Sequence, residues 1–209
     1  GHEIGLHGFT HRRVLDLGPK SFTDEIRKGI ETLGEHVGVS PTGFRAPFCS
    51  ITKRTPWAPE MLSDAGFAYS SSVMPAWNPV AGYPGAPNRP FRWKCGLLEI
   101  PAPVFGLRRF ALPALGGAYL RLMPQAVVWM ASRRRSANNG DWTYIHPYDL
   151  DTEEPFFQHP GQSWIEAKLL FARRSHMLHR VTRFIEGGTP TLGEYAQRLG
   201  NSAKLPEFG

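Results

Sequence analysis

Apolar positions recur at helical spacing near the start of this chain. Ile26, Ile30, Leu33 and Val37 form one apolar stripe, which predicts a helix over residues 22–37. Ser21, with Asp24 three positions on, resembles a capping box with Asp in place of Glu, and Gly38 supplies the stop. Residues 42–45 predict a short strand. Residues 56–65 predict a second helix, with proline in the first turn where it is tolerated and Gly66 at its end. Residues 67–71 predict the next strand. With Glu3 to His7 read as a strand end entering a polar loop, the order is strand, helix, strand, helix, strand. That alternation favours an α/β fold with parallel strands, in a sheet or a barrel.

Residues 74–92 change character. Pro75, Pro79, Pro84, Pro87 and Pro90 interrupt any regular element, and Trp77, Tyr83 and Phe91 punctuate the stretch. Long ordered loops of this kind in compact domains are often functional. Beyond it, residues 97–100 predict a strand, and 122–136 a helix opened by Pro124. Residues 142–146 predict an apolar strand ending on a histidine. One long basic amphipathic helix is predicted over 163–185, and a short one over 191–199.

Composition narrows the classes. The chain has 209 residues, 41% of them hydrophobic, enough for a packed core. Its most apolar region, Ala111 to Met130, is broken by Pro113, Arg121, Pro124 and several glycines. It falls short of the roughly 20 uninterrupted apolar residues of a membrane span, so no stable membrane insertion is expected. The net charge is +6, and the run Arg133, Arg134, Arg135 reads as a solvated helix end. Basic residues are not interleaved with aromatics along a groove, so no nucleic-acid partner is expected. Cys49 and Cys95 form neither a disulfide framework nor a metal knuckle and read as buried or semi-buried thiols. That usage suits the cytoplasm or the cytoplasmic face of the inner membrane. The chain begins at Gly1 with no signal-peptide pattern and reads as a fragment of a longer protein.

Three short motifs carry chemistry. In HGFTH, His7 and His11 lie four apart, a spacing that on a helical turn puts both imidazoles on one side. Neutral imidazoles suit zinc and other late divalent metals. In FRAPF, Arg45 at a strand end precedes the turn fixed by Pro47, which places a cation and directed backbone N–H groups at a cleft mouth. In YIHP, His146 ends an apolar strand, a position suited to acid–base work, although a satisfied core histidine is the plainer reading.

In that order, GHEIGLHGFTH, FRAPF and YIHP resemble the second, third and fifth motifs of the polysaccharide deacetylase family, the NodB-homology group or carbohydrate esterase family 4. The segments GFRAPFCSITKRTPWAPEMLSDAGFAYSSS, GLLEIPAP, GGAYLRLMP and YIHPYDLD resemble a narrower subgroup found with exosortase-linked exopolysaccharide loci. The resemblance implies a distorted (β/α) barrel of the NodB-homology type, incomplete at the N-terminus, as residues 1–150, with a helical C-terminal extension over 151–209. It implies a catalytic divalent metal, zinc first with cobalt or nickel as alternatives, and a glycan substrate. Carried over, His7 and His11 are metal ligands, Arg45 orients the catalytic base, and the N–H of Phe48, set by Pro47, stabilises the oxyanion. His146 is the general acid.

Two departures stand out. The family's first motif supplies a third metal ligand and a base, both carboxylates. Asp16, Asp149 and Asp151 do not match it, so both are expected upstream of Gly1. Ser70 stands where the subgroup usually has an Asp expected to support the catalytic histidine. The expected activity is metal-dependent hydrolysis of N-acetyl groups on a polysaccharide or lipid-linked glycan. An amidase on a small cyclic amide and a non-catalytic glycan-binding remnant are the alternatives.

Overall fold

The structure is a computed structural model describing residues 2–78, 81–106, 111–113, 115–136, 142–186, 188–201 and 205–209. The side chains of residues 133–136 and 184 lie outside the description, among them those of the basic run Arg133, Arg134 and Arg135. The chain divides into two compact units: Gly1–Ala111 with Pro190–Gly209, and Leu112–Thr189.

In the first unit, helix α1 spans Val14–Val37. Gly18 breaks it with φ 71° and ψ 168°, and Pro19 restarts it. Ser21 therefore lies inside the helix, and the capping box expected there does not form. The buried face is Val14, Phe22, Ile26 and Gly29, with Ile30 and Leu33 packed at its margin. Val37, read as part of the stripe, is exposed. Gly38 ends the helix at φ 68°, and its N–H donates to the Gly34 carbonyl at 3.1 Å.

The sheet is built from β1 (Gly43–Phe44), β2 (Tyr69–Ser70), β3 (Phe91–Trp93), β4 (Leu98–Glu99) and β5 (Glu207–Phe208), in the order β1-β2-β4-β3-β5. β1, β2 and β4 run parallel, and Leu6 adds a parallel bridge to Phe44. Helix α2 (Ala58–Asp64) connects β1 to β2. The α/β reading with parallel strands holds. β3 pairs antiparallel with β4 and parallel with β5. The sequence pattern missed both: β3 follows the proline-rich stretch, and β5 is two residues at the chain end.

Two aromatic groups build the core. Phe22 and Phe44 meet edge-on at 5.7 Å, flanked by Trp57 and Phe67. Tyr83, Phe91, Trp93 and Phe208 form the other, with centroids 5.1–6.0 Å apart. Each buried ring contributes about 1.5–3 kcal/mol by leaving water. Tyr83 and Phe91 are therefore core residues, and of the three aromatics that punctuate 74–92 only Trp77 is exposed. Helix α8 (Leu192–Gly200) starts from a capping box in which Thr191 and Glu194 each accept the other's backbone N–H. Glu3 ties this helix to β2: its carboxylate accepts the Gly193 N–H at 2.7 Å and the Tyr69 hydroxyl at 2.6 Å.

The second unit is helical. α4 (Gln125–Ser136) is the helix expected over 122–136, opened by Pro124, and α3 (Gly117–Leu122) precedes it as a short helix that the pattern did not mark. α5 (Pro147–Leu150), α6 (Trp164–Phe171), a 3-10 turn (Arg174–His176) and α7 (Met177–Ile185) follow. The helix expected over 163–185 breaks at Ala172, and Arg173 takes φ 61°. The break lets buried Arg174 reach the carbonyls of Leu170 and Asp151 and, at 2.6 Å, the Glu154 carboxylate. The strand expected at 142–146 reduces to one parallel bridge, Tyr144 to Gly116, among the described residues.

Candidate active site

His7 follows Leu6, the buried residue bridged to Phe44 of β1, and so stands beside that edge of the sheet. Its Nδ1 lies 2.7 Å from the Arg45 carbonyl, which can only accept. In neutral imidazole this puts the proton on Nδ1 and the lone pair on Nε2. Residues 7–13 form an irregular loop, so the helical turn assumed from the four-residue spacing is absent. His11 instead reaches His7 through a left-handed backbone at φ 56°. The two rings meet edge-on with centroids 5.0 Å apart, both residues exposed.

Glu25 on α1 holds this loop. Its carboxylate accepts the N–H groups of Phe9 and Thr10, at 3.0 and 2.7 Å, and the Thr10 hydroxyl at 2.7 Å. Partial burial works against the charge, but the Thr10 and Phe9 hydrogen bonds and nearby Arg12 outweigh it and hold the Glu25 pKa below its ordinary value. Gly8, at φ 74°, lets the backbone turn against the Pro47 ring.

Pro47 opens a tight 3-10 turn in which Phe48 and Cys49 are both left-handed, at φ 59° and 51°. Such non-glycine conformations cost about 1–3 kcal/mol each and cluster at functional sites. The Phe48 ring lies 5.3 Å from that of His11. The Arg45 Nε and Nη2 donate to the Ser71 carbonyl and hydroxyl, at 3.3 and 3.2 Å. Burial pushes the Cys49 thiol up to about 11, which makes it a thiol rather than a thiolate at neutral pH. Cys95 is exposed, not semi-buried as expected, and both cysteines are free.

Thus the structure brings His7, His11, Arg45, Pro47 and Phe48 together. The donor set fits a late divalent cation in part: two imidazoles lie side by side, one with its tautomer set. Among the described residues no group of three His, Cys, Asp or Glu side chains could hold a metal ion.

His146 belongs to the second unit. It stands at the N-terminus of α5, stacked on Tyr148 with centroids 4.8 Å apart and planes 7° apart. Its Nδ1 lies 3.1 Å from Asp149 Oδ2, and its backbone N–H donates to the same oxygen at 3.0 Å. Asp149 is fully buried and faces buried Arg121 at 3.6 Å. Burial alone would raise the Asp149 pKa, but the His146 hydrogen bonds and Arg121 hold it below its ordinary value. Arg121 is itself held by the Leu169 and Leu170 carbonyls at the end of α6. Thus the carboxylate beside this histidine comes from its own helix. Ser70 hydrogen-bonds Ser72.

Residues 1–69 match the model of the polysaccharide deacetylase family. Residues 71–189, more than half of the chain, match a domain of unknown function, DUF3473. The chain belongs to the DUF3473 family, and its first 69 residues are polysaccharide deacetylase domain. It is 34% identical over 74 residues to a peptidoglycan deacetylase of Helicobacter pylori, an alignment covering 35% of this chain and 24% of that protein. It is 36% identical over 73 residues to a peptidoglycan deacetylase-like protein of Gibberella zeae, covering 35% and 21%. The matched stretches thus span about a quarter or less of these relatives. A crystal structure from Mycobacterium smegmatis, described as a polysaccharide deacetylase, superposes with a TM-score of 0.57 at 18% identity, covering 100% of this chain and 66% of that one. This likeness establishes a shared fold.

His7, His11, Arg45, Pro47 and Phe48 lie in the deacetylase domain, while His146, Asp149 and Arg121 lie in the DUF3473 domain. Sequence reasoning missed Glu25, because nothing in a helical repeat marks a carboxylate that caps a distant loop. Asp149 was visible three residues after His146, a spacing that on a helix start brings a side chain back to the first N–H.

Proposed function

We propose that this protein removes N-acetyl groups from amino sugars of a glycan by metal-dependent hydrolysis. The substrate would be a polysaccharide or lipid-linked glycan of exopolysaccharide biosynthesis. The observation that carries the reading is the convergence of His7, His11 and the strained Pro47–Cys49 turn, in a chain whose relatives are named for peptidoglycan deacetylation.

His7 and His11 would hold the cation, zinc first, with cobalt or nickel as alternatives. When bound, such a cation supplies Lewis-acid polarisation of the acetyl carbonyl. The Phe48 N–H, set by the turn that Pro47 opens, donates to the oxygen on which charge develops. Arg45 would orient a carboxylate base that takes a proton from the water attacking the acetyl carbonyl, and that water's oxygen becomes part of the released acetate. His146, with Nδ1 directed to Asp149, would be the general acid that gives the departing amine a proton, without which an amine is a poor leaving group.

The test is acetate release by the full-length protein from N-acetylated chitooligosaccharides and from peptidoglycan, with zinc, cobalt or nickel supplied. Release that a chelator abolishes supports the reading. No acetate from either glycan with any of the three metals overturns it.

A further inference from the structure

We propose that Glu99, a buried carboxylate on β4, is a positioning residue that holds the Arg45–Phe48 segment through the Ser71–Val73 segment that follows β2. The proposal rests on the deacetylase reading for what that segment does, but its geometry stands apart from it.

Glu99 has 0% exposure and lies in register with Ser70 of β2 and Phe91 of β3. Its Oε1 accepts the N–H groups of Ser72 and Val73, at 2.6 and 2.9 Å. These are the first backbone donors beyond Ser71, where β2 leaves the sheet. Oε2 accepts the Trp93 indole N–H at 3.4 Å.

The segment so fixed reaches the candidate site twice. Ser72 Oγ accepts the Ala46 N–H at 2.9 Å. Ser71 accepts the Arg45 guanidinium at its carbonyl and its hydroxyl, and that hydroxyl donates onward to the Ile100 carbonyl at 2.8 Å. Arg45 in turn presents its carbonyl to His7. A continuous hydrogen-bonded path therefore runs from Glu99 through Ser72 and Ser71 to Ala46 and Arg45, and on to His7.

The side-chain type fits this role. The Ser72 and Val73 N–H groups, the Trp93 indole N–H and the Ser70 hydroxyl converge on the two carboxylate oxygens. A glutamine could satisfy Ser72 and Val73 through its carbonyl but would turn N–H groups toward the Trp93 N–H. Burial pushes the Glu99 pKa up, so the charge is disfavoured where it sits. A carboxylate kept where an apolar residue would pack at less cost points to a task beyond filling the sheet.

The experiment compares the parent chain with Glu99→Gln, Glu99→Ala, Ser71→Ala and Ser72→Ala by amide hydrogen exchange and by the Arg45 Nε–H resonance, with folding followed by thermal melting. Glu99→Ala is expected to lower protection at Ser72, Val73 and Ala46 by about tenfold or more and to shift the Arg45 resonance, with melting still cooperative. Glu99→Gln should restore Ser72 and Val73 most of the way. Ser71→Ala should shift Arg45 alone, and Ser72→Ala should expose Ala46 alone. A folded Glu99→Ala chain with Ala46 and Arg45 unchanged overturns the proposal. Should that variant not fold, unchanged Ala46 protection in Ser72→Ala and an unchanged Arg45 resonance in Ser71→Ala overturn it instead. In the full-length protein, Glu99→Gln should lower kcat with KM nearly constant. If the parent releases no acetate, the deacetylase reading fails while the exchange measurements still decide the positioning role.

Discussion

Asp149 grips His146 twice with one oxygen, at the ring Nδ1 (3.1 Å) and at the backbone N–H (3.0 Å). Its other oxygen faces Arg121 at 3.6 Å, and both side chains of that pair are buried. Removing one partner of a buried pair strands the other, so Asp149→Ala should cost about 3–5 kcal/mol of stability. Asp149→Asn should cost less but should present an amide N–H to Nδ1 and favour the other imidazole tautomer. Long-range 15N NMR of His146 reads that change directly. Acetate release should fall by about a hundredfold or more, the scale of general acid catalysis.

The same pair sets an acid limit. The folded-state pKa of Asp149 lies below its unfolded value. Its contribution is therefore complete above the ordinary carboxylate range and is lost as pH falls through the folded value. Acid unfolding followed by circular dichroism should begin at higher pH in Asp149→Asn than in the parent, because the variant lacks this contribution at every pH. Coincident acid transitions would remove Asp149 from the account.

The metal assignment is tested at the histidines and at the group behind them. His7→Ala should abolish zinc binding in calorimetry and leave the fold largely intact, since the residue is exposed. Glu25→Ala releases the Phe9 and Thr10 N–H groups between the two histidines and should weaken zinc binding by about 10–100-fold, as loss of support behind metal ligands does. Zinc affinity unchanged in both variants would show that the pair is not a site.

How much of this was legible beforehand differs by element. The βαβ frame was, because apolar runs bounded by Gly66 and Pro56 punctuate the chain at the right intervals. The partition of helices in the second unit was not. Ala172 carries no helix-breaking signal, and the break is set by Arg174 finding its carbonyl and carboxylate partners. In the candidate site the motif residues were legible as types and order. Their supports were not: Glu25, Glu99 and Arg121 act across 15 to 49 positions of sequence, where no local pattern reports them.

Gly43 shows a constraint of space. A Cβ built there would run into the Tyr69 ring, whose hydroxyl donates to Glu3 at 2.6 Å. Gly43→Ala should push that ring aside, weaken the tie through Glu3 to α8, and cost about 1–3 kcal/mol as overpacking does. Chemical denaturation measures the loss. Gly43→Ala paired with Tyr69→Phe should cost less than the sum of the two, because both act on one hydrogen bond.

The two cysteines should separate cleanly by reactivity. The nucleophile in alkylation is the thiolate, so rate follows thiolate fraction and access. Cys49 has its pKa pushed up to about 11 by burial, with Glu99 adding to the effect and Arg45 opposing it. Cys95 is exposed. Iodoacetamide at pH 8, followed by peptide mass spectrometry, should label Cys95 readily and leave Cys49 largely unmodified. Equal labelling of both cysteines in the parent would contradict the packing described for the Pro47–Cys49 turn.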